Sequence, residues 1–581
     1  MIRKSGNRFS EKIMLNQKSN QQETRKIIMN GFSFRGLEFH SSRMWQWAQV
    51  ERALTFMTEF DLNALVFHQN DIVDHLVFPE EFFSDALMWQ RWPVRMHSIY
   101  QNRHYINKVV RGAKARGIGF YFEIKEISFV DSLLEIVPDL REANGAICPT
   151  NPFWWKMLDI KLRELVSAIP DFAGVIVSPG TRESKVSIST NACTCARCQA
   201  ADPTRWYQDL LAAMHKPLAE HGKTFAVRDF SYSADDQSRM LTAAAAVSKD
   251  IVISLKNTPH DYYPTFPDNP CIGHTAGLPQ WVEYDTWGQF FGMGVFPVSV
   301  VEDMQARMRH AVKSRVDGIF LRTDWEVITD AGSFNGPNIL NVIAGAMLAK
   351  DVDRPLDEIY AAFAAHGLYS PLRAASEIED RAVPTGSNAA AILRDFMVAS
   401  WAVMEKAAYV RGHLFHEDDQ YCDTVDKAFA MMVDIHGRDD WEPGASRLVE
   451  VADDNIAVIF AEKAAALAEV RALPQVLRAD QLGLPARMVA ELQDMLDLYE
   501  RWVRGFVLCT HAVFLTRKAT LSGQASDAAA ARATLPPLRD FRTEIVQRLA
   551  GTHYPHIVYW LLDDRRVGQF ITDVERLLPM A

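Results

Sequence analysis

The strongest constraint on this chain is a repeated pairing of strand-like and helix-like stretches. From residue 32 a short β-branched or aromatic run is followed by a helical pattern, about eight times over roughly three hundred residues. FSFRGLEFH precedes an amphipathic helix over 46–60, and NALVFHQND precedes a helix around 106–116. IGFYFEI precedes NPFWWKMLDIKLRELVSAIP, and FAGVIVSPG precedes TRWYQDLLAAMHKPLAEHG. TFAVRDFSY, two further strands, the helix MQARMRHAVKSRV and the strand DGIFLRTDWE complete the series. Parallel strands need a crossover, usually helical, so this alternation predicts an α/β domain with a parallel sheet. The count favours a (β/α)8 TIM barrel over residues 32–340.

Polar residues fall at the carboxyl ends of strand after strand, where barrel enzymes build their sites. Lys125 and Glu126 close one strand, Thr181, Arg182 and Glu183 follow another, and Arg228 and Asp229 sit on a third. Residues 251–292 are the richest stretch. They read as strands 251–255 and 281–289 joined by a long loop, with Lys256, Asn257 and Asp261 after the first strand. Side chains alternate along a strand, so Glu283, Asp285, Trp287 and Gln289 share one face. A purely apolar core has no use for two carboxylates and an amide there. An inner barrel face opening into a site does, and a solvated edge strand is the bland alternative.

Beyond residue 341 the sequence turns Ala/Leu-rich with three-to-four spacing, and no strand pattern returns. Residues 341–581 therefore read as an all-helical C-terminal domain, either a homodimer face or a cover for the barrel mouth. Residues 1–31 are polar and basic without the apolar core of a signal peptide, and read as a disordered tail. The net charge of −11 and the absence of a long basic run argue against a nucleic-acid partner. No apolar run is long enough to span a membrane. The 14 Trp and 15 Tyr suit sugar platforms but also ordinary cores. Seven cysteines without a secretion signal suggest reduced thiols and a cytoplasmic protein.

Three stretches resemble the bacterial α-glucuronidase family of glycoside hydrolases. They are CPTNPFWWKMLDIKLRELVSAIPDFAGVIVSPGTRES, then VRDFSY, then ISLKNTPHDYYPTFP together with WVEYDTWGQFFG. RGLEFHSSR also resembles the opening of barrels in that family and in the related hexosaminidases. The chain as read lacks a counterpart of the β-rich domain that precedes the barrel in that family. The resemblance implies a barrel with a helical C-terminal domain and no cofactor for catalysis. It implies that Glu183 is the acid, Asp261 a base, and Arg228 and Lys256 the contacts to a sugar carboxylate. Gln289 stands where the family carries a second water-activating carboxylate.

The chemistry agrees with that carry-over. Inverting hydrolysis needs one protonated carboxyl at the leaving oxygen and one carboxylate holding a water across the ring. Gln289 can orient water but cannot accept its proton, which leaves Asp261 as the base and Glu283 and Asp285 in reserve. An anionic sugar among carboxylates needs local cations, which Arg228 and Lys256 supply. Asp229, Trp287 and His260 complete the expected substrate-binding set. Against each stands a structural reading: Glu183 paired with Arg182 or Lys185, Arg228 and Lys256 spent on the nearby acids. Cys193, Cys195 and Cys198 form C-x-C-x2-C, a set that can hold a structural Zn with a fourth ligand from Cys148, Cys271 or a His. The expectation is an exo-acting, inverting glycoside hydrolase that removes a uronic acid from short oligosaccharides. A hexosaminidase-like exo-glycosidase and a catalytically silent carbohydrate-binding barrel are the alternatives.

Overall fold

The computed structural model describes residues 30–578 apart from 143, 182, 231–232, 328–330 and 374–380. The tail read over residues 1–31 and Arg182 thus fall almost wholly outside the described residues. Eight strands close a parallel barrel in sequence order. They are β1 (Phe34–Phe39), β2 (Ala64–His68), β3 (Gly119–Lys125), β4 (Gly174–Ser178), β5 (Thr224–Arg228), β6 (Val252–Lys256), β7 (Gln280–Asp285) and β8 (Gly318–Arg322). β8 returns to β1 with Glu38 opposite Arg322. β2, β4, β6, β7 and β8 are buried along their whole length. Strands covered on both faces should be so, and their apolar runs follow from it.

The period of two sorts the barrel interior by depth. At the bottom, Val66, Ile176, Ala226, Val252 and Trp281 pack with Phe34 and Tyr121. Phe34 stacks on Trp281 at 3.7 Å. This plug needs Gly318, where a Cβ would lie 2.5 Å from Phe34 Cβ and 2.7 Å from Trp281 Cδ1. Two residues further along the same strands the interior becomes ionic. His68, Ser178, Arg228 and Glu283 follow Val66, Ile176, Ala226 and Trp281, and Glu38 and Glu123 join them. One more step reaches the mouth.

Helices follow most strands, among them Trp47–Glu59, Pro93–Lys114, Phe153–Ala168, Pro203–Glu220, Ala234–Val247 and Val301–Lys313. Between β6 and β7 there is none; that crossover is the long loop read from residues 257–279. The second strand of that stretch is shorter than expected. β7 ends at Asp285 rather than 289, because the Asp285 carboxylate accepts the N–H groups of Trp287 and Gln289, both at 2.9 Å. Gly288, with φ 103°, completes that turn in a conformation that favours glycine. The one-face alternation therefore stops at Asp285.

Helix Ile339–Lys350 packs on β8 and on Val301–Lys313, so the boundary read at residue 341 falls inside the last barrel helix. Among the described residues the remainder is mainly helical, with two short antiparallel ribbons, Leu368–Tyr369 with Arg381–Ala382 and Tyr409–Val410 with His413–Leu414. The spine is Ala486–Ser522, which buries Met488, Leu492, Met495, Tyr499, Trp502 and Phe506 on one side. Tyr499 stacks at 4.7 Å on Phe296 from the loop after β7, which fixes the spine to the barrel. No helix among the described residues is long and apolar enough to cross a membrane.

Candidate active site

At the floor of the barrel one arginine serves several acids. Arg228 Nη1 lies 2.8 Å from Glu123 and its Nε 2.6 Å from Glu283. Its Nη2 donates to the Tyr262 hydroxyl at 2.5 Å, and Tyr262 donates to Glu283. Glu123 also accepts from Ser178 Oγ at 3.0 Å. His68 Nδ1 stands 2.9 Å from Glu38 and 3.4 Å from Glu123. Burial, reinforced by Glu123, pushes the Glu38 carboxyl well above its usual range. Burial also raises Glu123, against the pull of Arg228. A cluster with more acids than bases in a dry interior keeps protons in this way.

Above the floor lies a cavity of about 300 Å3. The barrel contributes His40, Lys125, Glu183, Phe230, Lys256, Asp261, Tyr262, Gln289, Arg322, Trp325 and Glu326, with Arg228 showing at its base. The helical domain contributes Leu414, His416, Glu417, Asp418 and His436, so it covers the mouth. A second compartment of about 540 Å3 shares His40, Lys125, Glu183 and Glu326 with the first. Its outer walls carry Met44, Trp45, Asn70, Asp71 and Lys185. Glu183 therefore stands on the wall between two chambers.

Each mouth carboxylate has a distinct setting. Glu183 pairs with Lys125 Nζ at 3.0 Å and accepts from Asn70 at 3.4 Å, with 41% of its side chain exposed. Arg182 is outside the described residues, and Lys185 pairs instead with Asp131 at 2.9 Å. Asp261 accepts from Lys256 Nζ at 2.6 Å. Burial works to raise the Asp261 carboxyl, but Lys256, joined by His260 and Arg322, outweighs it and holds the group well below its usual range. Glu326 pairs with His40 Nε2 at 2.9 Å, and that partner brings it to about 2 against the effect of burial. Asp418 is the opposite case: burial, reinforced by Asp261 and Glu417 and only partly offset by Gln289 and Arg322, pushes it up to about 7.

Gln289 links two of these groups. Its Nε2 donates to Asp418 at 3.0 Å, and its Oε1 accepts from Arg322 Nη1 at 2.5 Å. Arg322 also faces His40 Nδ1 at 3.3 Å, and no carboxylate lies within ion-pair reach of it among the described residues. Asp418 and Asp419 both have left-handed backbones, φ 47° and 58°, which Asp tolerates better than most residues. Trp560 Nε1 holds the Asp418 carbonyl and Trp502 Nε1 the Asp419 carbonyl, each at 3.0 Å.

Of the residues expected from sequence, Glu183, Asp261, Gln289, Arg228 and Lys256 line the cavity. The others stand behind it. Glu283 is in the floor network, and Asp285 builds the turn that presents Gln289. Asp229 accepts from Gln237. His260 is buried beside Tyr263 and His436, and burial brings it to about 3. Trp287 is fully buried against Gly294, where a Cβ would lie 2.0 Å from its Nε1, so it offers no platform to a ligand. The sequence reading passed over His40, Arg322, Trp325, Glu326 and Asp418. Arg322 ends a strand, the same signal that marked Lys125 and Arg228. Asp418 carried no such signal, since it lies among helices far along the chain.

No known family profile matches the chain, and no curated protein does. Solved structures do match. A GH138 enzyme targeting pectin rhamnogalacturonan II shares 11% identity over 94% of this chain and 84% of its own, with a TM-score of 0.63. An O-GlcNAc hydrolase mutant from Thermobaculum terrenum shares 12% over 94% and 95%, at 0.44. A chitobiase from Flavobacterium johnsoniae shares 14% over 88% and 75%, at 0.39. These neighbours are glycoside hydrolases. The likeness to the first shows a common fold, a (β/α)8 barrel followed by a helical domain.

Proposed function

We propose that this chain is an exo-acting glycoside hydrolase that removes a uronic acid from short oligosaccharides, as the α-glucuronidase resemblance implies. The observation that carries the reading is the position of Glu183 on the wall shared by two chambers, with the Asp261–Lys256 pair inside the covered one. A glycosidase acid must reach the oxygen between two sugar rings, and a shared wall is where that oxygen would lie. The covered chamber takes the terminal sugar and the outer one the leaving group, which is what exo action requires.

In this reading Glu183 protonates the leaving oxygen, and Lys125 beside it steadies the carboxylate left behind. Asp261, kept ionised by Lys256, takes a proton from the attacking water. Gln289, held by Arg322 and Asp418, orients that water or a ring hydroxyl. Arg228 is committed to Glu123 and Glu283, so the sugar carboxylate falls to Arg322 and Lys256. Phe230 lies 4.2 Å from Lys125 Nζ and 4.0 Å from Lys256 Nζ and offers an apolar floor between the cations.

One observation favours a second route. Tyr262 lines the cavity and hydrogen-bonds Glu283 beneath it. A shift of that phenol would bare Glu283 as a nucleophile, and the reaction would retain the anomeric configuration. The test is a panel of p-nitrophenyl glycosides, aldouronic oligosaccharides and pectic oligosaccharides, with the product anomer followed by NMR. Release of a uronic acid with inversion is expected; retention transfers the role from Asp261 to Glu283. A panel without any turnover overturns the hydrolase and leaves a carbohydrate-binding barrel.

A further inference from the structure

We propose that Cys148, Cys193, Cys195 and Cys198 bind one structural zinc ion, and that this ion ties the loop bearing Glu183 to the neighbouring loop of the barrel. The four sulfurs lie within 4.8 Å of one another. Cys148 Sγ is 3.7 Å from Cys195 Sγ and 3.5 Å from Cys198 Sγ. Those separations are too long for a disulfide and match the edge of a tetrahedral thiolate site. Zn–S bonds of about 2.3 Å put the sulfurs roughly 3.8 Å apart. Four ligands close the coordination sphere, so the ion has no open position for substrate and its role is structural.

The surroundings suit a thiolate cluster. Cys195 N–H points at Cys193 Sγ and Cys198 N–H at Cys195 Sγ, both at 3.5 Å. Thr150 Oγ1 stands 3.3 Å from Cys148 Sγ and 3.2 Å from Cys198 Sγ. Arg197 Nη2 reaches Cys148 Sγ at 3.8 Å and offsets part of the net negative charge that four thiolates leave on a divalent ion. Such outer contacts orient ligands and tune the metal. Cys148, Cys193 and Cys198 are buried, and Ala146 packs against the group. Two tryptophans hold the backbone in place beforehand: Trp154 Nε1 donates to the Cys148 carbonyl and Trp206 Nε1 to that of Pro149, each at 2.9 Å. Cys271, another candidate fourth ligand, lies elsewhere and meets Gln237 Oε1 at 2.9 Å.

Cys148 sits between β3 and the helix Phe153–Ala168. The other three lie between β4 and the helix Pro203–Glu220, on the same loop as Glu183. That loop has little regular structure of its own. A metal clip would fix it by removing chain entropy, as cross-links do.

The test is elemental analysis of the untagged, purified protein, with native thiol titration alongside. One zinc per chain is expected, and a mercurial that displaces it should release the metal in step with titration of the four cluster thiols; Cys422 and Cys509 are buried apart from the cluster and are counted separately. Cobalt exchanged into the site should show the intense visible bands of tetrahedral coordination and a thiolate charge-transfer band. Cys148→Ser and Cys195→Ser should each lose the metal and the cobalt spectrum; if either variant fails to fold, the wild-type measurements decide alone. Absence of stoichiometric metal, a disulfide among the four by mass spectrometry, or stoichiometric iron would overturn the proposal.

Discussion

The barrel floor and the barrel mouth use the same residue types to opposite ends. On the floor, Glu123 and Glu283 meet Arg228 with almost no exposure to solvent, and nearby Glu38 turns to His68. At the mouth, one step further along the strands, Lys125 meets Glu183 and Lys256 meets Asp261, but each pair has a side facing the cavity. Arg322 stands there with an amide and an imidazole as partners. Depth along the strand therefore decides the work of a charge. A buried pair costs desolvation that its attraction barely repays, and its loss strands a partner in a dry interior. A pair open to the cavity can exchange its partner for substrate.

The largest effect should come from the mouth. Glu183→Gln should lower kcat on a substrate with a poor leaving group by about 100- to 10,000-fold, and much less on one with a good leaving group, because general acid catalysis contributes on that order. Its melting temperature should stay near that of the wild type. Equal, mild losses on both substrates would remove Glu183 from the acid's role. The floor should behave the other way. Arg228→Met should cost about 3–5 kcal/mol of unfolding free energy in a denaturant titration, since it leaves carboxylates buried and unpaired. A fully stable Arg228→Met protein that has only lost affinity for uronate would move Arg228 from the floor to the mouth.

A smaller effect separates the two regions by selectivity. A charge-assisted contact to a buried anion contributes about 1.5–3 kcal/mol, so Arg322→Met should weaken inhibition by free uronic acid about tenfold or more. Inhibition by the neutral hexose should stay unchanged. Parallel losses for both sugars would show that Arg322 only props up Gln289.

The smallest effect concerns Asp418, whose proton is retained up to about pH 7 in the folded chain. In the unfolded chain it leaves near the ordinary carboxylate value of about 3.9. Between those values the folded state binds the extra proton, so stability falls as pH rises through the window. Asp418→Asn should remove that slope, read as the difference in melting temperature between about pH 5 and about pH 8. A slope unchanged by the substitution would place the titration elsewhere, with Glu126, also raised to about 7 by burial, the next group to replace.

The strand–helix repeat made the barrel legible, because alternation at two periods leaves few other ways to bury both faces of each strand. It also made legible the strand-end residues Lys125, Arg228 and Lys256 and the loop residues Glu183 and Asp261. What it could not convey was depth. Glu283 and Asp285 share a strand face with the site, yet one is spent on Arg228 and the other on capping a turn. Trp287 looked like a sugar platform, but Gly294 admits it into the wall. Gln289 was expected to position rather than to accept protons, and its partners, Arg322 and Asp418, come from the last barrel strand and from the helical domain. Local pattern carries no information about such a meeting. The cover over the mouth was one of two readings of the helical domain, and only tertiary packing shows that Leu414, His416, Glu417, Asp418 and His436 reach the cavity.

The proposed function rests on a mouth that binds an anionic sugar. The most direct measurement is kcat/KM of the wild-type protein for a matched pair of aryl glycosides, a uronide and the neutral hexoside of the same configuration and leaving group. The uronide should be turned over at least about tenfold more efficiently, in line with one charge-assisted contact. Equal efficiency, or preference for the neutral hexoside, would contradict it.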